Sequence, residues 1–138
     1  DCNIINTFAE GVQLAKTVGL DNVKVLIDFY HMVCEKENPE VLRKYGKEYL
    51  RHVHFSYPSI PEIDGVRDPD NIRTIFEGEL HRRSWWRTFP SCREEWDYTD
   101  FIQALKDCGY QGRVSLEAPV TDFDRQAQEA LAFMKAEF

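Results

Sequence analysis

The stretch NVKVLIDFYHM, residues 22–32, is a short apolar, β-branched run, typical of a buried strand, that ends on polar side chains. Side chains alternate across a strand, so residues of the same parity share a face. One face then carries Lys24, Leu26 and Asp28, and the other carries Val23, Val25 and Ile27. The stretch predicts a strand with one apolar face and a polar end, marked by Asp28 and the nearby His31.

Helices are predicted on both sides of this strand. The segment NTFAEGVQLAKTVG, residues 6–19, has Thr7 and Glu10 at capping-box spacing and ends at Gly19, a common helix terminator. The segment NPEVLRKYGKEYL, residues 38–50, begins with an Asn-Pro pair that favours a helix start, and its apolar residues recur at helical spacing. The strand therefore lies between two predicted amphipathic helices.

The alternation of strand and helix continues to the end of the chain. Strand-like runs are RHVHFSY (51–57) and GRVSLEAP (112–119), and helical runs are DYTDFIQALKDCGY (97–110) and TDFDRQAQEALAFMKAEF (121–138). Because residues 58–96 show no clean period, the predicted order is α-β-α-β-loop-α-β-α with one long insertion. This order predicts an α/β fold with parallel strands and outer helices. A complete (β/α)₈ TIM barrel takes about 250 residues, so the chain corresponds to a partial barrel.

Composition and charge limit the classes of partner. The chain has 138 residues, of which 43% are hydrophobic and 30% charged, and this profile is typical of a soluble globular protein. A formal net charge of −7 and a pI near 5.1 argue against nucleic acid and anionic membranes as partners. No apolar run approaches the roughly 20 residues of a membrane helix, so a cytoplasmic location is expected. The four cysteines form no C-x-x-C pair, so reduced thiols are expected.

Polar residues recur in the same phase on all three predicted strands. His54 shares a face with the histidine two residues before it, and Glu117 follows the third strand in the same phase as Ser115. Since the carboxyl ends of parallel strands form the ligand-binding edge, we expect Asp28, His54 and Glu117 to meet there, with His31 on the loop just beyond. Two carboxylates and an imidazole are a ligand set for Mn²⁺, Mg²⁺, Co²⁺ or Zn²⁺. Taken singly, each residue has a structural role as the alternative, such as a turn cap or a hydrogen-bonded histidine.

Three motifs in this order resemble those of a known family. They are D-x-x-H at Asp28 and His31, H-x-H ending at His54, and L-E-x-P at Glu117. The chain, apart from residues 58–96, resembles the C-terminal portion of the sugar isomerase/epimerase family with a xylose isomerase-like TIM barrel, and in particular its ketose 3-epimerase branch. The resemblance implies a single C-terminal half-barrel domain over residues 1–138, containing about the last three β/α units.

The resemblance also implies roles for individual residues. Asp28, His54 and Glu117 fall on metal-ligand positions, and His31 falls on a position that binds the substrate, a small carbohydrate. Glu117 further matches one of two glutamates that exchange protons with the carbon next to the substrate carbonyl. The implied reaction moves a proton through an enediolate, which requires a carboxylate on either side of that carbon.

The sequence departs from the family pattern at three positions. The family's other metal-binding glutamate belongs to an earlier strand that this sequence does not contain, and the same holds for a substrate-binding glutamate near it. Where the epimerase branch has an arginine six residues after the second histidine, this chain has Ile60. Arg67 is the candidate replacement in substrate binding. We therefore expect weak or absent catalysis from this chain alone, with the enzyme being the full-length parent.

The insertion at 58–96 contains the segment HRRSWWRTF, in which three arginines surround Trp85 and Trp86. One interpretation is a lid whose indole rings stack on a sugar and whose arginines, Arg82, Arg83 and Arg87, bind a hydroxyl, carboxylate or phosphate. The alternative is that the tryptophans pack a small satellite core or cover an open sheet edge.

Two further hypotheses compete with the epimerase. An apurinic endonuclease-like zinc protein would need an additional Asp-x-His pair after the second strand, and the segment DGVRDPD offers none. A non-enzymatic truncated module would associate through its open sheet edges. For both the epimerase fragment and the truncated module, the expected protein partner is a second copy of this chain or an N-terminal barrel half.

Overall fold

The computed structural model describes residues 4–58, 87–90, 98–118 and 122–138. The helices are α1 (Phe8–Val18), α2 (Phe29–Cys34), α3 (Glu40–Tyr49), α4 (Thr99–Asp107) and α5 (Phe123–Glu137). The strands are β1 (Val25–Asp28), β2 (Leu50–Phe55), β3 (Tyr57–Pro58), β4 (Arg87–Thr88) and β5 (Val114–Leu116). Within these ranges, no helix is both long and apolar enough to cross a membrane.

The main sheet has three parallel strands in the order β1-β2-β5. Asp28 lies opposite His54, and His54 in turn lies opposite Ser115. The predicted α/β architecture is confirmed: parallel strands alternate with helices, as in part of a TIM barrel. The register places the carboxyl ends of all three strands at one edge.

The first helix begins and ends as its sequence predicts. Thr7 Oγ1 accepts a hydrogen bond of 3.2 Å from the Glu10 amide, and the Glu10 carboxylate accepts one of 3.0 Å from the Thr7 amide. Gly19 ends the helix with a φ of 69°, a left-handed conformation that glycine adopts without steric cost. The Glu37 carboxylate accepts the amides of Phe8 and Ala9, so α1 is also fixed to the segment after α2.

The apolar strand faces meet the helices in an aromatic core. Phe55 is fully buried at the end of β2, and its ring stacks on Phe29 with centroids 5.1 Å apart. Tyr98 and Phe101 complete the cluster from the start of α4. In β1, Ile27 is buried while Leu26 on the opposite face is 45% exposed, which confirms the predicted alternation.

One local prediction is wrong at the end of β1. The loop expected to carry His31 is instead the short helix α2, which begins directly after Asp28. The reason is that the Asp28 side chain accepts a hydrogen bond of 2.9 Å from the Tyr30 amide and so acts as the helix N-cap.

The two described ends of the insertion pair with each other. Strand β3 and strand β4 are antiparallel, with Tyr57 opposite Thr88 and Pro58 opposite Arg87. Because β3 follows β2 after a single residue, this pairing returns the chain to the carboxyl edge of the main sheet. It thereby places Arg87 beside the polar strand ends.

Candidate metal centre at the carboxyl edge of the sheet

Asp28, His54 and Glu117 converge at the carboxyl edge. Asp28 is the last residue of β1, His54 is the penultimate residue of β2, and Glu117 directly follows β5. One potential ligand atom from each lies within 4.8 Å of the others. Two ligands on opposite sides of an ion with bonds of 2.0–2.2 Å are about 4.0–4.4 Å apart, so small side-chain movements would fit these three residues to a divalent cation.

The two oxygens of Asp28 have different partners. Oδ1 caps α2 by accepting the Tyr30 amide at 2.9 Å, whereas Oδ2 accepts Nη1 of Arg87 at 3.0 Å. The side chain is only 6% exposed. Burial of a carboxylate without partners is costly, and these two hydrogen bonds offset that cost.

His54 and Glu117 contact each other across β2 and β5. The His54 Nδ1 atom donates to Glu117 Oε2 at 2.9 Å, and the Glu117 side chain is 57% exposed. Also between β2 and β5, His52 Nε2 and Ser115 Oγ lie 3.0 Å apart. The imidazole rings of His52 and His54 are in edge contact, with centroids 5.1 Å apart. His54 is thus held between a neighbouring ring and a carboxylate.

Arg87 contacts this cluster, although the sequence predicts it only as one of three arginines in the insertion. Its Nη1 atom donates to Asp28 Oδ2 at 3.0 Å and to Glu117 Oε2 at 3.1 Å. Nη2 donates to His31 Nε2 at 2.8 Å, since a guanidinium has no acceptor. The guanidinium also lies 4.3 Å above the centroid of the Tyr30 ring. A positive group therefore sits at the point where the carboxylates converge, as expected of a site suited to a cation.

The remaining predicted substrate contacts, Arg67, Trp85 and Trp86, lie outside the described residues. His31, by contrast, is placed beside Arg87 at the same edge as the three candidate ligands. The structure thus brings four of the seven predicted site residues together, and adds Arg87 to them.

A separate cavity of about 340 Å³ lies at the opposite, amino edge of β2 and β5. Its lining includes Lys47, Arg51, Cys108 and Tyr110 and contains no carboxylate. Burial raises the pKa of the Cys108 thiol and of the Tyr110 hydroxyl, so both groups are in their neutral forms at neutral pH. Ligands of parallel α/β folds bind at the carboxyl edge, which favours the Asp28 cluster as the functional site.

Comparisons with known proteins agree with this fold. A D-psicose 3-epimerase of Ruminiclostridium cellulolyticum is 30% identical over 114 residues, which are 83% of this chain and 29% of that protein. A crystal structure of D-psicose 3-epimerase with D-tagatose from Clostridium cellulolyticum H10 matches 99% of this chain with a TM-score of 0.69 and 26% identity. The structure of the IOLI protein with a bound zinc atom has the same fold over 97% of this chain, with a TM-score of 0.69 and 20% identity.

This chain covers less than half of the length of each of these relatives. This chain spans 29% of the Ruminiclostridium epimerase and 45% of each of the two crystallised chains. The family model described as xylose isomerase-like TIM barrel matches residues 1–137, nearly the whole sequence. The chain therefore belongs to the xylose isomerase-like TIM barrel family.

Proposed function

We propose that this chain is the C-terminal half of a divalent-metal-dependent sugar isomerase or epimerase, folded as one domain over residues 1–138 with an insertion at 58–96. The observation that carries the proposal is the cluster of Asp28, His54 and Glu117, whose potential ligand atoms lie within 4.8 Å of one another. The similarity to D-psicose 3-epimerases supports a ketose as the substrate class. A role in cytoplasmic carbohydrate metabolism is part of the same proposal.

The cation would be held by these three side chains. Their donor set suits Mn²⁺, Co²⁺, Mg²⁺ or Zn²⁺. When bound, a divalent ion would polarise the substrate carbonyl and so make the neighbouring C–H more acidic.

Glu117 is proposed to move the proton. Its side chain is 57% exposed and is oriented by His54, so its carboxylate is open to a substrate at the edge of the sheet. A carboxylate in that position can remove a proton from the carbon beside the carbonyl and return it. Inversion at that carbon needs a second carboxylate on the opposite face, which the family resemblance assigns to an earlier strand.

Substrate orientation is proposed for residues beside the cluster. His31 lies at the same edge and would bind a substrate hydroxyl. Arg67, Trp85 and Trp86 are proposed from the sequence as further contacts, because indole rings stack on sugars and arginines bind their oxygen atoms.

The half-barrel exposes sheet edges that a partner would cover. Within the described part of the chain, β1 and β5 are the edge strands of the main sheet. Open edges pair readily with further strands. We propose that an N-terminal barrel half, or a second copy of this chain, covers them, and that this chain alone has weak or no activity. The same open edges favour the alternative of a non-enzymatic module.

Titration calorimetry with Mn²⁺ and Co²⁺ tests the metal site. The 138-residue chain is expected to bind both ions, and Asp28→Asn is expected to weaken binding about tenfold or more because a charged ligand is lost. Asn retains a side-chain oxygen that can cap α2, so this variant separates charge from folding. The control is Asp124→Asn in the first turn of α5, which should leave the affinity unchanged. Equal binding by Asp28→Asn would refute the proposed site.

Proton exchange tests the proposed chemistry. A ketohexose incubated in D₂O with Mn²⁺ and this chain is expected to show little or no epimer at its third carbon by NMR, because inversion needs the second proton-transfer carboxylate. Rapid epimerisation by the chain alone would contradict the proposed incompleteness.

A further inference from the structure

The guanidinium of Arg87 occupies the point where the two candidate carboxylate ligands meet. One nitrogen, Nη1, donates to both Asp28 Oδ2 and Glu117 Oε2, at 3.0 and 3.1 Å. The other oxygen of Asp28 is engaged by the Tyr30 amide. Arg87 therefore occupies the Asp28 oxygen that does not cap α2.

A guanidinium and a divalent ion bound to the same oxygens would repel each other. An ion bonded to Asp28 Oδ2 at about 2.0–2.2 Å would lie within about 5 Å of Nη1 in its present position. Charges of the same sign at that separation repel, and the repulsion is weakly screened because the Arg87 side chain is only 10% exposed. Metal binding is therefore weakened as long as Nη1 stays at its present position.

The two carboxylates do not provide all of the contacts of Arg87. Its Nε atom is buried and has no hydrogen-bond partner among the described residues. The Tyr30 ring and His31 contact the guanidinium independently of the carboxylates. An arginine that releases Asp28 and Glu117 can therefore keep two of its contacts, which lowers the cost of exchange.

We infer that Arg87 is the resident cation of the metal-free site and sets its metal affinity by competing with the ion for Asp28 and Glu117. In the metal-free state its positive charge reduces the repulsion between two clustered carboxylates and so stabilises the fold. In the metal-bound state the ion takes over that role and the guanidinium is displaced toward Tyr30 and His31. This inference rests on the proposed metal site.

The test compares metal affinity and metal-free stability across variants of the 138-residue chain. Arg87→Gln is expected to bind Mn²⁺ about tenfold more tightly than the wild type, because a competing cation has been removed. Its melting temperature without metal is expected to fall, because two carboxylates lose their counter-ion. Arg87→Lys keeps the charge, so its Mn²⁺ affinity should lie between those of the wild type and Arg87→Gln.

A matched control is Arg43→Gln. Arg43 also binds clustered carboxylates, those of Glu40, Asp100 and Asp107, on helices α3 and α4. This variant should lose stability while its Mn²⁺ affinity stays at the wild-type value. It therefore separates a general effect of removing an arginine from competition at the site.

The outcomes distinguish the inference from the proposed function. Equal or weaker Mn²⁺ binding by Arg87→Gln, together with weakened binding by Asp28→Asn, would overturn the inference and leave the metal site standing. Absence of Mn²⁺ and Co²⁺ binding in the wild type and in both Arg87 variants would overturn both. Circular dichroism of each variant establishes that the comparison is made on folded protein.

Discussion

The imidazole of His54 and the carboxylate of Glu117 are joined by a hydrogen bond of 2.9 Å that crosses from β2 to β5. Because both side chains would act on the same ion, their contributions to metal affinity should be coupled. We expect His54→Gln and Glu117→Gln each to weaken Mn²⁺ binding about tenfold or more, and the double variant to lose less than the sum of the two free-energy changes. Calorimetric titration of the four proteins measures this coupling.

Glu129→Gln on α5 is the control for the loss of a glutamate, since Glu129 pairs with Arg125 on the same helix. It should leave Mn²⁺ affinity unchanged. A loss in the double variant that equals the sum of the two single losses would contradict the predicted coupling of His54 and Glu117.

The aromatic core predicts a large effect of truncating Phe55. This ring is fully buried and contacts Phe29, Tyr98 and Phe101. Phe55→Ala should lower the free energy of unfolding by about 3–5 kcal/mol, because a cavity replaces the ring. Urea denaturation followed by circular dichroism measures the loss. Leu131→Ala, at a side chain that is 54% exposed, should change stability by less than about 1 kcal/mol.

Helix α3 approaches Cys108 closely at Gly46. A Cβ atom at position 46 would lie 2.8 Å from the Cys108 sulfur, which is tighter than any normal contact. Gly46→Ala should therefore destabilise the protein by about 1–3 kcal/mol, although alanine favours a helix interior. Adding Cys108→Ala should restore part of the loss in a thermal melt. A gain of stability in Gly46→Ala alone would contradict this contact.

The capping box of α1 predicts a pH dependence. The amides of Asn6 and Thr7, with the Thr7 hydroxyl, hold the pKa of Glu10 below its ordinary value of 4.5. A carboxyl whose pKa is lowered by folding stabilises the protein above its ordinary pKa, and this contribution is lost as the pH falls through the lowered value. The difference in melting temperature between the wild type and Glu10→Gln should thus be present at neutral pH and disappear in acid. If the difference in melting temperature between the two proteins instead grew below pH 4.5, the predicted pH dependence would be contradicted.

Much of the fold, and the meeting of the three candidate metal ligands, could be predicted because both depend on local periodicity. The alternation of Leu26 and Ile27, and the phase of His54, follow from the two-residue repeat of a strand. Once the strands are parallel and in this order, their carboxyl ends meet at one edge. The meeting of Asp28, His54 and Glu117 is therefore a consequence of pattern and topology, whereas their roles in binding and catalysis stay predictions.

Two features could not be predicted from the sequence pattern: helix α2 and the contact of Arg87 with Asp28. Helix α2 was missed because Phe29 and Tyr30 continue the apolar run of β1, so only the capping preference of Asp28 marks the boundary. Arg87 was missed as a partner of Asp28 because 59 residues separate them and no periodic pattern spans the insertion. The pairing of β3 with β4 brings Arg87 to this edge.

The two oxygens of Asp28 give position 28 an unusually narrow tolerance for substitution. Oδ1 caps helix α2 and Oδ2 accepts a hydrogen bond from Arg87, so one side chain serves the fold and the proposed metal site at once. Asparagine can replace the first role but not the charge, and glutamate keeps the charge on a longer arm that is a poorer cap. Any substitution at this position therefore alters the start of α2, the proposed metal site or both. No single replacement keeps the cap and the charge together.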